Sequence, residues 1–222
     1  MGKTILTPKQ LNFLELAAKD KQITKWLYLT GGTALSEFYL RHRLSDDIDL
    51  FSEKEVNPTL VEAFLQKVAP TLGVKKIIKQ QVLGLYTYKL QYKDKGSLKI
   101  DFNFYPFPRI EKGKNFGDLE VSSIYDIAVN KIHTIAMRTN ARDFVDIYFI
   151  FKETKYNDLE KIRLDSQAKF DWPLEAKNLI NQFLKVKDLV DFPKMLKPFS
   201  RREMEDFFLS LAKSLEKEIF KK

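Results

Sequence analysis

The sequence predicts an α/β protein of the α+β kind: a mixed α/β part up to about residue 120, followed by an all-helical part. Three observations predict it. Before residue 120, short runs rich in β-branched and aromatic residues interrupt stretches of helical period. After Ser122 every apolar run repeats at helical spacing. The length, 222 residues, suffices for two small domains sharing a cleft.

In chain order, PKQLNFLELAAKD (8–20) has apolar residues at helical spacing and reads as a helix. WLYLT (26–30) reads as a short strand ending at Gly31 and Gly32, where a tight turn begins. Thr33 is the expected N-cap of a helix over 34–41. DDIDLFS (46–52) is the next strand, and Pro58 marks the start of a helix running to about Ala69. Segments 74–92 and 98–105 have strand character with a glycine-containing break between them. Helices are then expected over 124–138, 141–153, 173–186 and 200–220. The expected division is 1–120 for the α/β domain and 121–222 for a helical domain that closes a cleft over the site.

Composition restricts the chemistry. With no cysteine, disulfides and thiolate zinc sites are excluded, and the chain fits a reducing cytoplasm. Only His42 and His133 are present, so a metal would have to be held by carboxylate oxygens, which favour magnesium or manganese over zinc. The N-terminus carries no stretch apolar enough for a signal peptide and no run approaches a membrane span, so the expected location is cytoplasmic, away from membranes. A net charge of +8 points to polyanionic partners such as RNA, DNA or nucleotides.

Asp47 and Asp49 are two residues apart in a predicted strand and so project from one face. Adjacent carboxylates repel unless a cation sits between them, and a divalent ion answers that need. Gly31 and Gly32 lie between a strand and a helix, where backbone N–H groups can approach a phosphate. A Gly-Gly turn or an isolated Asp-x-Asp is common by itself. In sequence they place an anion cradle beside a metal site, as a nucleoside triphosphate requires. In LKIDFNFY, Asp101 alternates with core residues and is the candidate third carboxylate.

The helical part adds a buried cation. Ile124, Ile127, Ala128, Ile132 and Ile135 form one stripe on the wheel, and Lys131 falls within it. A cation there needs an anion, either a carboxylate or a phosphate. Asp143 and Asp146, three apart on the next helix, supply the carboxylate alternative. His133 and Asp126 fall on the opposite face, expected to be exposed, and receive no role.

The segments GGTALSEFYLRHRLSDDIDLF, KIDFNFYPF, DIAVNKIHTIAMR and ARDFVDIYFI, in this order over about 25–150, resemble the motifs of the AbiEii/AbiGii-type nucleotidyltransferase toxins. The resemblance implies a DNA polymerase beta-like nucleotidyltransferase fold: a mixed sheet with flanking helices, followed by a C-terminal helical bundle. It implies that Asp47 and Asp49, with Asp101, hold two Mg2+ (or Mn2+) ions and that Gly31, Gly32, Thr33 and Ser45 line the triphosphate of an NTP. Arg43 and Lys131 would assist at the phosphates, and the later motifs assign catalytic roles to Lys131 and to Asp143 or Asp146.

The expected activity is metal-dependent transfer of a nucleoside monophosphate to an acceptor hydroxyl, with RNA, specifically the 3′ end of tRNA, as acceptor. The expected setting is a toxin of an abortive-infection or toxin–antitoxin system with a cognate antitoxin protein. The alternatives are a protein or small-molecule acceptor, or a non-catalytic module that binds RNA or a partner.

Overall fold

The computed structural model describes residues 4–82 and 84–219. Leu83, inside a predicted strand segment, and Phe220, the last residue of the final predicted helix, lie outside the described residues. The chain forms two compact units. One comprises the residues up to Tyr39 together with Leu44–Ser123, and the other Leu40–Arg43 together with Ile124 onward. The sequence reading drew one division near residue 120; the short segment 40–43 departs from it by belonging to the helical unit.

The first unit is built on a seven-stranded sheet. In chain order its elements are α1 (Pro8–Lys19), α2 (Lys21–Trp26), β1 (Tyr28–Thr30), α3 (Gly31–Leu35), a π-helical turn (Ser36–Leu40), β2 (Ile48–Ser52) and α4 (Pro58–Leu72). Then follow β3 (Val74–Val82), β4 (Leu85–Tyr92), β5 (Ser97–Phe104), β6 (Lys114–Phe116) and β7 (Leu119–Val121). The strand order is β3-β4-β5-β2-β1-β7-β6. The pairs β1–β7 and β2–β5 are parallel, and the other pairs are antiparallel.

Local chemistry explains most of these elements. Thr7 and Gln10 form a reciprocal capping box at the start of α1. Asn57 caps α4, with Pro58 at its first position, and Gly73 ends it in the left-handed region at φ +69°. The predicted strand over 74–92 is a hairpin of two strands, turning at Gly84 with φ +80°. Leu98, Ile100 and Phe102 of β5, with Ile48 and Leu50 of β2, form the buried layer, and Phe13 of α1 meets Phe64 of α4 edge to face.

One expected feature is corrected here. Thr33 does not cap a helix: α3 begins at Gly31, its N-cap position is Thr30, and the turn ends at Leu40. The Thr33 side chain is instead committed to a tertiary hydrogen bond.

The helical unit contains α5 (Ile124–Met137), α6 (Ala141–Glu153), α7 (Leu159–Phe170), α8 (Ala176–Leu184) and α9 (Arg201–Ile219). Ile127, Ala128, Ile132 and Ile135 are buried as the wheel predicts. Asp126 and His133 depart from the expected exposed face. Asp126 is fully buried and pairs with Lys169 of α7 at 2.9 Å, and His133 stacks on Phe170 at 3.9 Å between ring centroids. The cause is α7, which the sequence reading does not assign because LEKIRLDSQAKF has no apolar stripe. It is started by Asp158 accepting from the Lys161 amide, and it covers the second face of α5. Among the described residues, no helix is long and apolar enough to cross a membrane.

Candidate active site

In the sheet unit, register gathers the carboxylates. Asp49 on β2 lies opposite Asp101 on parallel β5 and opposite Thr30 on β1. Residues opposite each other in register point to one face, so Asp49 and Asp101 share it while Ile48, Leu50, Ile100 and Phe102 fill the other. Asp47 is one residue before β2, on the segment leading into it. The Thr33 hydroxyl donates to the Asp47 carbonyl and holds that segment.

Gly31 has φ +73°, and a Cβ built on it would lie 2.1 Å from Asp49 Oδ2. Only glycine permits both that backbone and that approach. Gly31 and Thr33 thus touch Asp49 and Asp47 respectively, and the turn and the carboxylate pair form one structure. Ser45 lies half-buried on the loop before β2, where its carbonyl accepts from Gln10 Nε2 at 2.7 Å.

Lys99, two residues before Asp101 on β5, enters the same place. Its ammonium donates to Asp101 Oδ2 at 2.7 Å and approaches Asp47 Oδ2 at 3.4 Å, while Thr87 donates to Asp101 Oδ1 at 2.5 Å. Burial works against the charge of Lys99, but the hydrogen bond to Asp101 and the nearby Asp47 outweigh it, so its pKa is raised.

Among the described residues, no group of three or more acidic or histidine side chains is arranged to hold a metal ion. The expected ligand set of Asp47, Asp49 and Asp101 is therefore on one face but not closed around a common point, because the Lys99 ammonium stands where Asp47 and Asp101 meet. The donor chemistry nevertheless fits a hard divalent cation: carboxylate oxygens on one face, already converging on a positive charge. A cavity of about 350 Å³ lined by Ile23, Trp26, Leu27, Val56 and Leu60 lies beside Ser52, at the other end of β2, and is not part of this centre.

The helical unit carries a separate ionic cluster. Asp146 of α6 accepts from His42 Nε2 at 2.8 Å, Arg43 Nε at 2.6 Å and Arg43 Nη2 at 2.8 Å, and Lys131 Nζ lies 2.8 Å from its second oxygen. Lys131 also donates to Asp143 Oδ1 at 2.6 Å. The expected pairing of Lys131 thus forms with both aspartates. Burial alone would raise the pKa of Asp146, but the Arg43 guanidinium and the Lys131 ammonium hold it well below the ordinary carboxylate value. For Lys131, burial opposes the charge and the two aspartates prevail, raising its pKa.

This geometry shows where the structure places Arg43 and the residues of the later motifs. The guanidinium of Arg43, expected at the phosphates, is buried with two of its nitrogens on Asp146. Asp146 is fully buried and paired with both Arg43 and Lys131. Asp143 is nearly as buried. Lys131, whose side chain keeps 13% exposure, is the member of the Lys131–Asp143–Asp146–Arg43 set with surface to offer.

The model of the nucleotidyl transferase AbiEii toxin family, of type IV toxin–antitoxin systems, matches residues 14–218. The chain belongs to this family. It is accordingly a nucleotidyltransferase toxin of a type IV system, an enzyme acting on a nucleoside triphosphate and countered by a cognate antitoxin. Nucleotidyltransferases in general use divalent metals with their NTP.

Protein aq_aa25 of Aquifex aeolicus (strain VF5) is 28% identical to this AbiEii-family chain over 164 residues, which is 69% of this chain and 72% of that protein. A candidate nucleotidyltransferase from H. pylori has a similar structure, with a TM-score of 0.62 and 21% identity over 96% of this chain and 97% of that one. MenT4, the nucleotidyltransferase toxin Rv2826c of Mycobacterium tuberculosis H37Rv, aligns with a TM-score of 0.60 and 14% identity over 93% and 83% of the two chains. At these identities the two structures bear on the fold, which is the nucleotidyltransferase fold.

Within the AbiEii-family chain, the sheet unit brings Gly31, Thr33, Asp47, Asp49 and Asp101 together, and the helical unit brings Lys131, Asp143, Asp146 and Arg43 together. The sequence reading missed Lys99 and His42. Lys99 had a signal, since it alternates onto the same face as Asp101. His42 had none, because its contact with Asp146 spans 104 residues.

Proposed function

We propose that this AbiEii-family enzyme transfers a nucleoside monophosphate from an NTP to a hydroxyl of RNA, with the 3′ end of tRNA as acceptor, and that this transfer arrests translation in an abortive-infection response. The observation that carries the reading is the placement of Asp49 and Asp101 on one sheet face, with Asp47 joined to Asp101 through Lys99 and the Gly31 backbone against Asp49. Asp47, Asp49 and Asp101 would hold the divalent ions, two of Mg2+ or Mn2+, which when bound lower the pKa of the acceptor hydroxyl and neutralise the triphosphate.

The chain's own residues supply the rest. The acceptor oxygen attacks the α-phosphorus, the bond from that phosphorus to the bridging oxygen breaks, and pyrophosphate leaves. Asp101 takes the hydroxyl proton, which requires Lys99 to release the oxygen it now holds. The backbone at Gly31 and Gly32, where no side chain intervenes, and Ser45 line the triphosphate, with Thr33 keeping the Asp47 segment in place. In the helical unit, Lys131, held by Asp143 and Asp146, is the cation proposed to assist at phosphates. The basic balance of +8 favours a polyanionic acceptor over a small neutral one.

The test is incubation of purified protein with each labelled NTP, Mg2+ and total RNA, beside an Asp49→Ala variant. Label should enter a tRNA-sized band with the native protein and not with the variant. Full transfer by Asp49→Ala would overturn the assignment of the centre, and label confined to protein would overturn RNA as acceptor.

A further inference from the structure

The β3–β4 hairpin and its turn into β5, residues 74–95, carry six lysines and a single acidic residue, Asp94. Register distributes these lysines unequally between the two faces of the sheet. Lys89 of β4 lies directly opposite Lys99 of β5, and Thr87 lies opposite Asp101. On β3, Ile78 lies opposite Lys89, and Lys76 lies opposite Gln91, two residues further along. Lys76, Lys89 and Lys99 therefore share the face of Asp49 and Asp101: Lys99 and Lys89 are directly opposite, and Lys76, on the edge strand β3, lies diagonally beyond Lys89, next to Ile78 on the same face.

This set of lysines is incomplete electrostatically. Like charges directly opposite across strands destabilise a sheet. Lys99 is compensated by Asp101 and Asp47, whereas among the described residues Lys89 and Lys76 have no carboxylate partner, and both are exposed. Gln80, Thr87 and Gln91, uncharged hydrogen-bonding side chains, lie on the same face. Strand spacing and rise place the Cα of Lys89 about 8 Å from that of Asp101, one strand over and two residues along. That is a distance of the order of one nucleotide.

We propose that Lys76 and Lys89 form a track for the sugar–phosphate backbone of a single-stranded RNA acceptor, whose terminal hydroxyl is delivered at Asp101. The inference rests on nucleotidyl transfer to RNA and names the surface that holds that RNA. An acidic protein segment would also suit the charge. RNA fits better because the track continues in register into the carboxylate centre, where an acceptor has to end.

The test uses the full chain, a fluorescent single-stranded RNA with a free 3′ end, and the double variant Lys76→Gln with Lys89→Gln. Fluorescence anisotropy is read across a salt series, with Lys19→Gln and Lys21→Gln, both exposed, as a control of equal charge change. The slope of log affinity against log salt should fall by about 1.4 in the track variant, since each phosphate contact on a single strand contributes about 0.7. NTP binding by calorimetry should be unchanged. A slope equal to that of the control overturns the track, as does polyglutamate that binds through Lys76 and Lys89 where RNA does not. Native protein that binds NTP but no RNA overturns both the track and the RNA acceptor. RNA bound through the track without label transfer refutes the proposed reaction and leaves the track standing.

Discussion

Replacing Asp146 with Ala removes the anion around which His42, Arg43 and Lys131 are assembled, and the structure sets the size of the effect. His42, Arg43 and Asp146 are each at most 1% exposed, so water cannot substitute for the lost carboxylate. Arg43 loses both of its hydrogen bonds to Asp146, whereas Lys131 keeps Asp143 at 2.6 Å. Removing one partner of such a buried pair costs about 3–5 kcal/mol. That lowers the folding equilibrium constant of the helical unit by roughly 150- to 5,000-fold. Asp146→Asn keeps the shape and one acceptor oxygen and should fall between the two.

Acid supplies a second reading of the same group. The folded pKa of Asp146 is depressed, so its contribution is complete above the unfolded carboxylate value of about 3.9 and is lost as pH falls toward the folded pKa. Urea unfolding followed by far-UV circular dichroism should show a constant gap between native protein and Asp146→Ala from pH 7 down to about 5. Below pH 4 the gap should narrow. A loss under about 1 kcal/mol at pH 7, in the range of an exposed pair, would refute the reasoning, as would a gap that widens in acid.

Three further outcomes follow from named contacts. Gly31→Ala forces a Cβ to 2.1 Å from Asp49 Oδ2 at φ +73°, so nucleotide transfer should drop by roughly 100-fold or more, measured with labelled NTP; unaltered turnover would show that Asp49 is not held there. Asp126→Ala leaves Lys169, whose side chain is 2% exposed, without its carboxylate, and should cost about 3–5 kcal/mol in the same urea assay. His133 is held below its ordinary pKa by burial, so it resists protonation in the fold, and its stabilisation is present near pH 7 and declines as pH falls through the folded pKa. Its NMR titration midpoint should lie below about 6.5, and a midpoint at or above that value would contradict the burial against Phe170.

What was legible in the sequence was local. Alternation in LKIDFNFY separates Asp101 from Ile100 and Phe102, and the association of Gly31 with Asp49 follows from a strand, Gly-Gly-Thr, helix, strand order within one short stretch of chain. The buried stripe of α5 and the pairing of Lys131 with the α6 aspartates were readable from helical periods on two adjacent helices. α7 was not readable, because its helix is held by packing on α5 and not by an apolar stripe of its own. With α7 unassigned, the sequence leaves Asp126, which is fully buried, and His133, which is half-covered by Phe170, on an exposed face.

The sequence by itself determined the family and the nucleotidyltransferase fold, and it put forward the carboxylates proposed for the site, since residue type and short-range period belong to the chain regardless of its folding. Only the tertiary structure decided that Lys99 sits between Asp47 and Asp101, that Arg43 and His42 are committed to Asp146, and that Lys89 and Lys76 continue the charged face to the sheet edge. Each of these depends on strand register or on a contact between residues far apart in sequence. Such pairings are set by the packing of whole elements, and no local pattern encodes them.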